Sequence, residues 1–252
     1  MKKIALALCI SAITPLAAHA DLLFTVGAKA SIWNADPSGQ VDDGISVDDD
    51  ENGFGLDAEN GTQLTVFVEH PVPFIPNLRI RNTSLDLSGK GRFISPVVFN
   101  DETFVAGPVN TEIDLSHTDY TAYWGLPLPL PYIDINLGAT ARAFDGSAVI
   151  ETAAQREDVD LNFVLPMAFA EAKVGSPFGV YGQLEVNYAG DVTTDISYAV
   201  GYDLPIAIAD LGVEVGYRSM SMKTDKDQTD VDVDVDVDVS GIFYGVSASI
   251  GF

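Results

Sequence analysis

In LLFTVGAKASIW, Leu22, Phe24, Val26, Ala28, Ala30 and Ile32 take every second position, and Thr25, Gly27, Lys29 and Ser31 take the places between. A period of two belongs to a β-strand with two unlike faces. It returns in YIDINLGATARAF, where Ile133, Ile135, Leu137, Ala139 and Ala141 oppose Asp134, Asn136, Gly138, Thr140 and Arg142. VYGQLEVNY, DISYAVGYD and DLGVEVGYR repeat it. Alternation by itself suits a soluble sandwich as well as a barrel. The polar face separates the two. Lys29, Arg79, Arg81, Arg142, Glu185, Glu214 and Arg218 stand among Gly, Ser and Thr, away from the aliphatic residues. A sandwich would have to bury the aliphatic face, whereas a membrane barrel turns it to lipid and keeps the charges in a polar lumen. The expected fold is all-β, an antiparallel up-and-down transmembrane β-barrel. Its inward charges are expected to pair across a narrow bore, Arg142 and Arg218 with Glu185 and Glu214 among them, leaving the lumen largely filled.

Asp and Glu number 37 against 13 Lys and Arg, a net charge of -24, which excludes nucleic acid because phosphates need basic partners. Hydrophobic residues reach 47%, yet residues 21–252 hold no apolar run long enough for a membrane helix. Residues 1–20, MKKIALALCISAITPLAAHA, read as a signal peptide. Lys2 and Lys3 precede an apolar stretch from Ile4 to Ala17, and Ala18-His19-Ala20 is a cleavage site. The stretch is too short for an anchor, and Pro15 breaks it. Cys9 lies within it without a lipoprotein box. Residues 21–252 are therefore expected to form one exported barrel domain, without cysteine for a disulfide, a thiol nucleophile or a metal site.

Ten strands are predicted, near 22–33, 62–70, 78–86, 113–126, 132–144, 160–174, 179–188, 195–204, 210–222 and 231–252. Pro166 interrupts the sixth, where Glu171 and Lys173 fit neither face, so eight strands is the alternative count. HPVPFIPN, LPLPLPY, GSPFG and LPIAIAD are short connections whose prolines end strands by removing a ladder donor. The intervening connections are rich in Asp, Asn and Gly. Short turns on the periplasmic side and longer acidic loops outside suit an outer-membrane barrel.

GIFYGVSASIGF places Ile242, Tyr244, Val246, Ala248, Ile250 and Phe252 on one face. It resembles the terminal strand by which Gram-negative outer-membrane barrels are recognised for assembly, with Phe252 as the signal to the assembly machinery. EHPVPFIPN (Glu69 to Asn77), LPMAFAEAKVG, VGYDLPIAIADLGVEVGYRSM and GVSASIGF together resemble a family of uncharacterised proteobacterial outer-membrane β-barrel proteins. The resemblance implies a barrel in the cell outer membrane, reached through the periplasm. It carries over no activity and no catalytic residue.

DDDENGFGLDAE puts Asp48, Asp50, Asn52 and Glu59 at calcium-loop spacing, with Gly53 at the turn position. Strands rather than helices flank it, so it is not an EF-hand. It stands as a candidate site for weak Ca²⁺ or Mg²⁺ binding, against a plain solvated turn. In VDVDVDVDVS the apolar face falls on odd numbers, while beyond Ser240-Gly241 it falls on even ones. The ninth strand shifts as well, from Leu211, Val213, Val215 and Tyr217 to Met220 and Met222. A bulge near Gly241 is predicted, or a hairpin leaving the membrane, with Asp232, Asp234, Asp236 and Asp238 above the outer leaflet.

The function expected is an envelope structural or binding component with a filled lumen. Outer-membrane lipid and lipopolysaccharide are its partners, no cofactor is expected, and nothing in the sequence sets an oligomeric state. A porin-like small-solute or cation channel is the alternative, and a lipid-modifying enzyme a further one. The enzyme reading lacks a catalytic group. Residues 21–252 contain two histidines, His70 and His117, and Ser116, His117 and Asp119 alternate faces too closely to form a triad by themselves.

Overall fold

The computed structural model describes residues 24–41, 44–99, 102–128, 130–206, 209–224 and 235–252. The expected leader with Cys9 lies outside the described residues, as do Asp232 and Asp234. The first part of the chain gives β1 (Thr25–Val41), β2 (Ile45–Ser46), β3 (Glu59–Glu69), β4 (Asn77–Ser84), β5 (Asp86–Phe93) and β6 (Val97–Phe99). Next come β7 (Glu102–Phe104), β8 (Gly107–Asp114), β9 (His117–Gly125), β10 (Ile133–Phe144), β11 (Gly146–Thr152) and β12 (Arg156–Leu161). The remainder is β13 (Val164–Val174), β14 (Val180–Tyr188), β15 (Thr193–Ile206), β16 (Ala209–Thr224) and β17 (Val235–Gly251).

Ten strands close a ring in the order β1-β3-β4-β9-β10-β13-β14-β15-β16-β17, every pair antiparallel, with β17 returning to β1. Phe24 and Phe252 continue that seam by exchanging backbone hydrogen bonds, at 3.0 and 2.9 Å. Closure leaves the ring no free edge. Ten is the predicted number, and eight is not adopted. Pro166 does not end β13; it pairs with Ala141. Met167, Phe169, Glu171 and Lys173 share the inward face of β13, so the two charged residues that fitted neither face belong to the lumen.

The connections divide the ring into a turn end, with the prolines, and a loop end. EHPVPFIPN locks a turn around His70. The His70 amide donates to Asn77 Oδ1 (2.9 Å), its Nδ1 accepts the Val72 amide (3.2 Å), and its Nε2 donates to the Pro76 carbonyl (3.3 Å).

The loop end departs from the prediction. The connections expected as solvated acidic loops form a second sheet, β12-β11-β8-β5, and a β6–β7 hairpin. This sheet continues four barrel strands past short breaks: β4 into β5 at Leu85, β9 into β8 at residues 115–116, β10 into β11 at Asp145, and β13 into β12 at residues 162–163. Hydrogen bonds cross the breaks, from the Leu115 amide to the Leu85 carbonyl (2.8 Å) and from the Asp145 amide to the Ser116 carbonyl (3.1 Å). The predicted strands 113–126 and 160–174 are each the end of one sheet joined to the start of the other. A single apolar cluster binds the second sheet to the barrel. It includes Phe54, Leu87, Phe93, Phe104 and Ile150 from the former loops, and Trp33, Met220, Val239 and Phe243 from the ring.

No bulge exists at Gly241. β16 and β17 pair in one register from Asp210↔Ser249 to Thr224↔Val235, and β1 keeps its register with β17 on both sides of Asn34 and Ala35. What changes is chemistry. Toward the turn end, the outward residues Val213, Val215, Ile242, Tyr244 and Val246 are exposed apolar side chains. Toward the loop end the inward residues Met220, Val239 and Ala35 are buried apolar ones, while Lys223 and Asp236 pair outside at 3.0 Å. The face shift in the sequence is a polarity inversion along strands of unbroken register. Tyr217 marks its level, its hydroxyl donating to Ser240 Oγ at 2.9 Å.

Candidate functional site

The lumen is built in layers, because inward residues recur at every second position of strands tilted around the bore. Nearest the apolar cluster lie Asp119 on β9, Arg142 on β10, Asp195 on β15 and Arg218 on β16. All four are buried, with Arg142 at 0% and Arg218 at 1% exposure. Arg142 forks onto Asp119, Nε to Oδ1 at 2.7 Å and Nη2 to Oδ2 at 2.9 Å, and reaches Asp195 Oδ2 at 2.5 Å. Arg218 forks onto Asp195 in turn, at 3.0 and 2.7 Å. Two carboxylates and two guanidiniums thus form one neutral chain, two bidentate pairs joined by a single contact, and bidentate geometry best offsets the cost of removing charges from water. The Arg218 guanidinium also lies over the Trp33 ring, 4.7 Å from its centroid, which ties this layer to the apolar cluster.

His117 closes the layer. Its Nδ1 donates to the Leu115 carbonyl at 2.8 Å, and its Nε2 faces Arg218 Nη2 at 3.3 Å. Arginine can only donate, so Nε2 accepts, and the ring holds a single proton. Ser116 points elsewhere, its hydroxyl accepting the Leu85 amide at 3.2 Å. Ser116, His117 and Asp119 are therefore parts of a packing junction, with each polar atom directed to a different partner.

A second layer lies toward the turn end. Glu185 receives Arg79 (2.9 Å) and both terminal nitrogens of Arg81 (2.7 and 2.8 Å). Glu171 receives Arg79 at 2.9 Å, with Asn136 and Gln183 each at 2.8 Å. Arg79 lies against the adjoining rings of Tyr123 and Phe169, 5.0 and 5.3 Å from their centroids. Lys29 pairs with Glu214, which also accepts the Tyr181 hydroxyl at 3.1 Å.

All seven predicted lumen charges therefore face inward, and each is paired. The expected pairing of Arg142 and Arg218 with Glu185 and Glu214 is corrected: the two arginines use Asp119 and Asp195, Glu185 uses Arg79 and Arg81, and Glu214 uses Lys29. The missed partners carried a readable signal. Tyr120 and Trp124 point outward on β9, as do Ile196 and Tyr198 on β15, so Asp119 and Asp195 had to point inward.

The calcium-spaced residues are not brought together. Asp48 accepts the Ser46 hydroxyl at 3.0 Å, Asn52 Oδ1 accepts the Ile94 amide at 3.4 Å, and Glu59 accepts the Ser88 hydroxyl at 3.3 Å. Asp50 is exposed. Asp49 folds the turn, taking the amides of Glu51 (2.8 Å) and Asn52 (3.1 Å). Among the described residues no three His, Cys, Asp or Glu side chains are grouped to hold a metal ion. Replacing Asp48 by Asn should therefore leave the heat of Ca²⁺ binding to the folded protein unchanged. A stoichiometric, Ca²⁺-selective calorimetric step abolished by Asp48→Asn would contradict this arrangement.

No protein-family model and no curated protein matches the sequence. Among solved structures, the chain is similar to outer membrane protease OmpT from Escherichia coli, with a TM-score of 0.41 and 8% identity over 90% of this chain and 97% of that one. At that level of likeness nothing about activity passes from the protease to this chain.

Proposed function

We propose that the protein is an integral outer-membrane β-barrel, closed to solute flow, that serves the envelope as a structural or binding component. The observation that carries this reading is the combination of an apolar outward band with a bore blocked by the Arg142–Asp195–Arg218 layer and the apolar cluster above it. An exposed aliphatic wall suits lipid, and fully engaged charges suit a lumen that water and ions do not traverse. The turn end then faces the periplasm, and the second sheet stands outside. Phe252, at the seam with Phe24, is the residue we assign to recognition by the assembly machinery. The acidic outer strands meet anionic lipopolysaccharide through a shared, diffuse atmosphere of divalent cations.

Two measurements test the reading. Fractionated cells should yield the protein with the outer membrane, and folded protein added to planar bilayers should produce no stepwise current. Stepwise cation-selective conductance would replace this reading with the channel.

A further inference from the structure

Below the second charged layer the barrel is hollow toward the turn end, with a cavity of about 590 Å³. Its lining carries seven Asp and Glu against four Lys and Arg. The cations are already engaged: Arg79 and Arg81 by Glu171 and Glu185, Lys29 by Glu214, and Lys173 by Asp203 at 2.8 Å. The carboxylates are in excess. The carboxylates of Asp134 and Asp210, at the mouth, have no side-chain hydrogen bond or ion pair among the described residues. Deeper in, Glu214 lines the cavity with a side chain 4% exposed, its Oε1 held by the Lys29 ammonium and its Oε2 by the Tyr181 hydroxyl. Phe24, Phe67 and Tyr181 add aromatic wall between the charges.

Three ligand classes can be weighed against this wall. An anion would meet surplus negative charge and cations already neutralised. A metal ion needs several oxygens in one compact shell, and the described carboxylates are not grouped that way. An elongated organic cation satisfies both conditions. Ammonium groups spaced along a chain reach separate carboxylates, while the methylenes between them lie on the aromatic rings. We propose that this cup binds an aliphatic polyamine. Entry from the periplasm rests on the orientation given under the proposed function; the cup itself rests only on the fold.

Spermidine, titrated calorimetrically into the full chain folded in zwitterionic micelles, provides the test. Salt near 0.15 M, where the screening length is about 8 Å, suppresses diffuse attraction to the acidic surface. One saturable step is expected. Asp134→Asn combined with Asp210→Asn should weaken it about fivefold to tenfold, the size of two exposed charge contacts. Asp236→Asn combined with Asp238→Asn, at the opposite end, should leave it unchanged. Neither n-butylamine nor Mg²⁺ should give a comparable step. The proposal fails if spermidine shows no step, if both variant pairs weaken it equally, or if Mg²⁺ matches it. These variants change exposed or half-exposed side chains, and the heat-shifted electrophoretic band reports that each has folded. Cell fractionation is read separately, so a protein that binds spermidine but is absent from the outer membrane would overturn the location and keep the cup.

Discussion

Replacing Asp195 by alanine is expected to destabilise the barrel by about 3–5 kcal/mol, the usual loss when one partner of a buried ion pair is removed. Asp195 is the shared member of the innermost charged layer, receiving Arg142 on one side and both donors of Arg218 on the other. Without it Arg142 keeps Asp119, but Arg218 is left buried with Thr83 and His117 as its remaining hydrogen-bond partners among the described residues. Changing Arg218 to methionine in the same chain removes the stranded charge and leaves the neutral Asp119–Arg142 pair. The double variant should therefore be more stable than Asp195→Ala alone. Urea titrations of protein folded into lipid vesicles give the comparison. Costs that simply add would mean that these residues act independently, and the account of the plug would have to be abandoned.

The second large effect is expected at Phe54. It packs edge-on against Phe93 and Phe99, both at 5.9 Å between ring centroids, and is 1% exposed at the centre of the apolar cluster. Phe54→Ala should cost the outer sheet about 3–5 kcal/mol, a transfer loss plus a cavity. Both ring partners of Phe54 belong to the outer strands, so the damage should be concentrated there. Protease added to intact vesicles should cleave between residues 86 and 114 far faster than in the parent, while the heat-shifted barrel band persists. Loss of that band together with the loops would show that the two sheets fold as one unit.

The barrel was legible because its signal is a parity. Aliphatic residues at every second position set which side chains face out, and the residues between them must then face in, which located all seven lumen charges. Partner choice was less legible, because it depends on the height of each residue around a closed ring. Arg142 meets Asp119 directly across the β9–β10 ladder, a register that alternation does not give. The outer sheet was missed for a different reason. In LDLSGKGRF, Leu85, Leu87 and Phe93 alternate as a strand should, but Gly89 and Gly91 hold two of the apolar positions and read as turn residues. They are glycines because the chain from Gly53 to Leu56 crosses directly over them. A Cβ at Gly89 would overlap the Gly55 carbonyl, and one at Gly91 the Gly53 carbonyl. The fold of the calcium-spaced loop was not legible because it turns on Asp49 and Ser46, residues the pattern ignores.

The continuous pairing of β16 with β17 makes the chain there sensitive to length in a way it is not to substitution. One residue inserted at Ser240-Gly241 would reverse the side of everything beyond it. Asp236 and Asp238 would be driven into the apolar interior, and Val237 and Val239 would be turned to water. The opposite half of the rim has slack at Leu85, Asp145 and the two-residue breaks between sheets, where an added residue can be absorbed. Length variation therefore belongs to that bent half. The wall of β16, β17 and β1, unbroken in register, acts as a fixed ruler, setting how far the loop end of the molecule stands from the exposed apolar band.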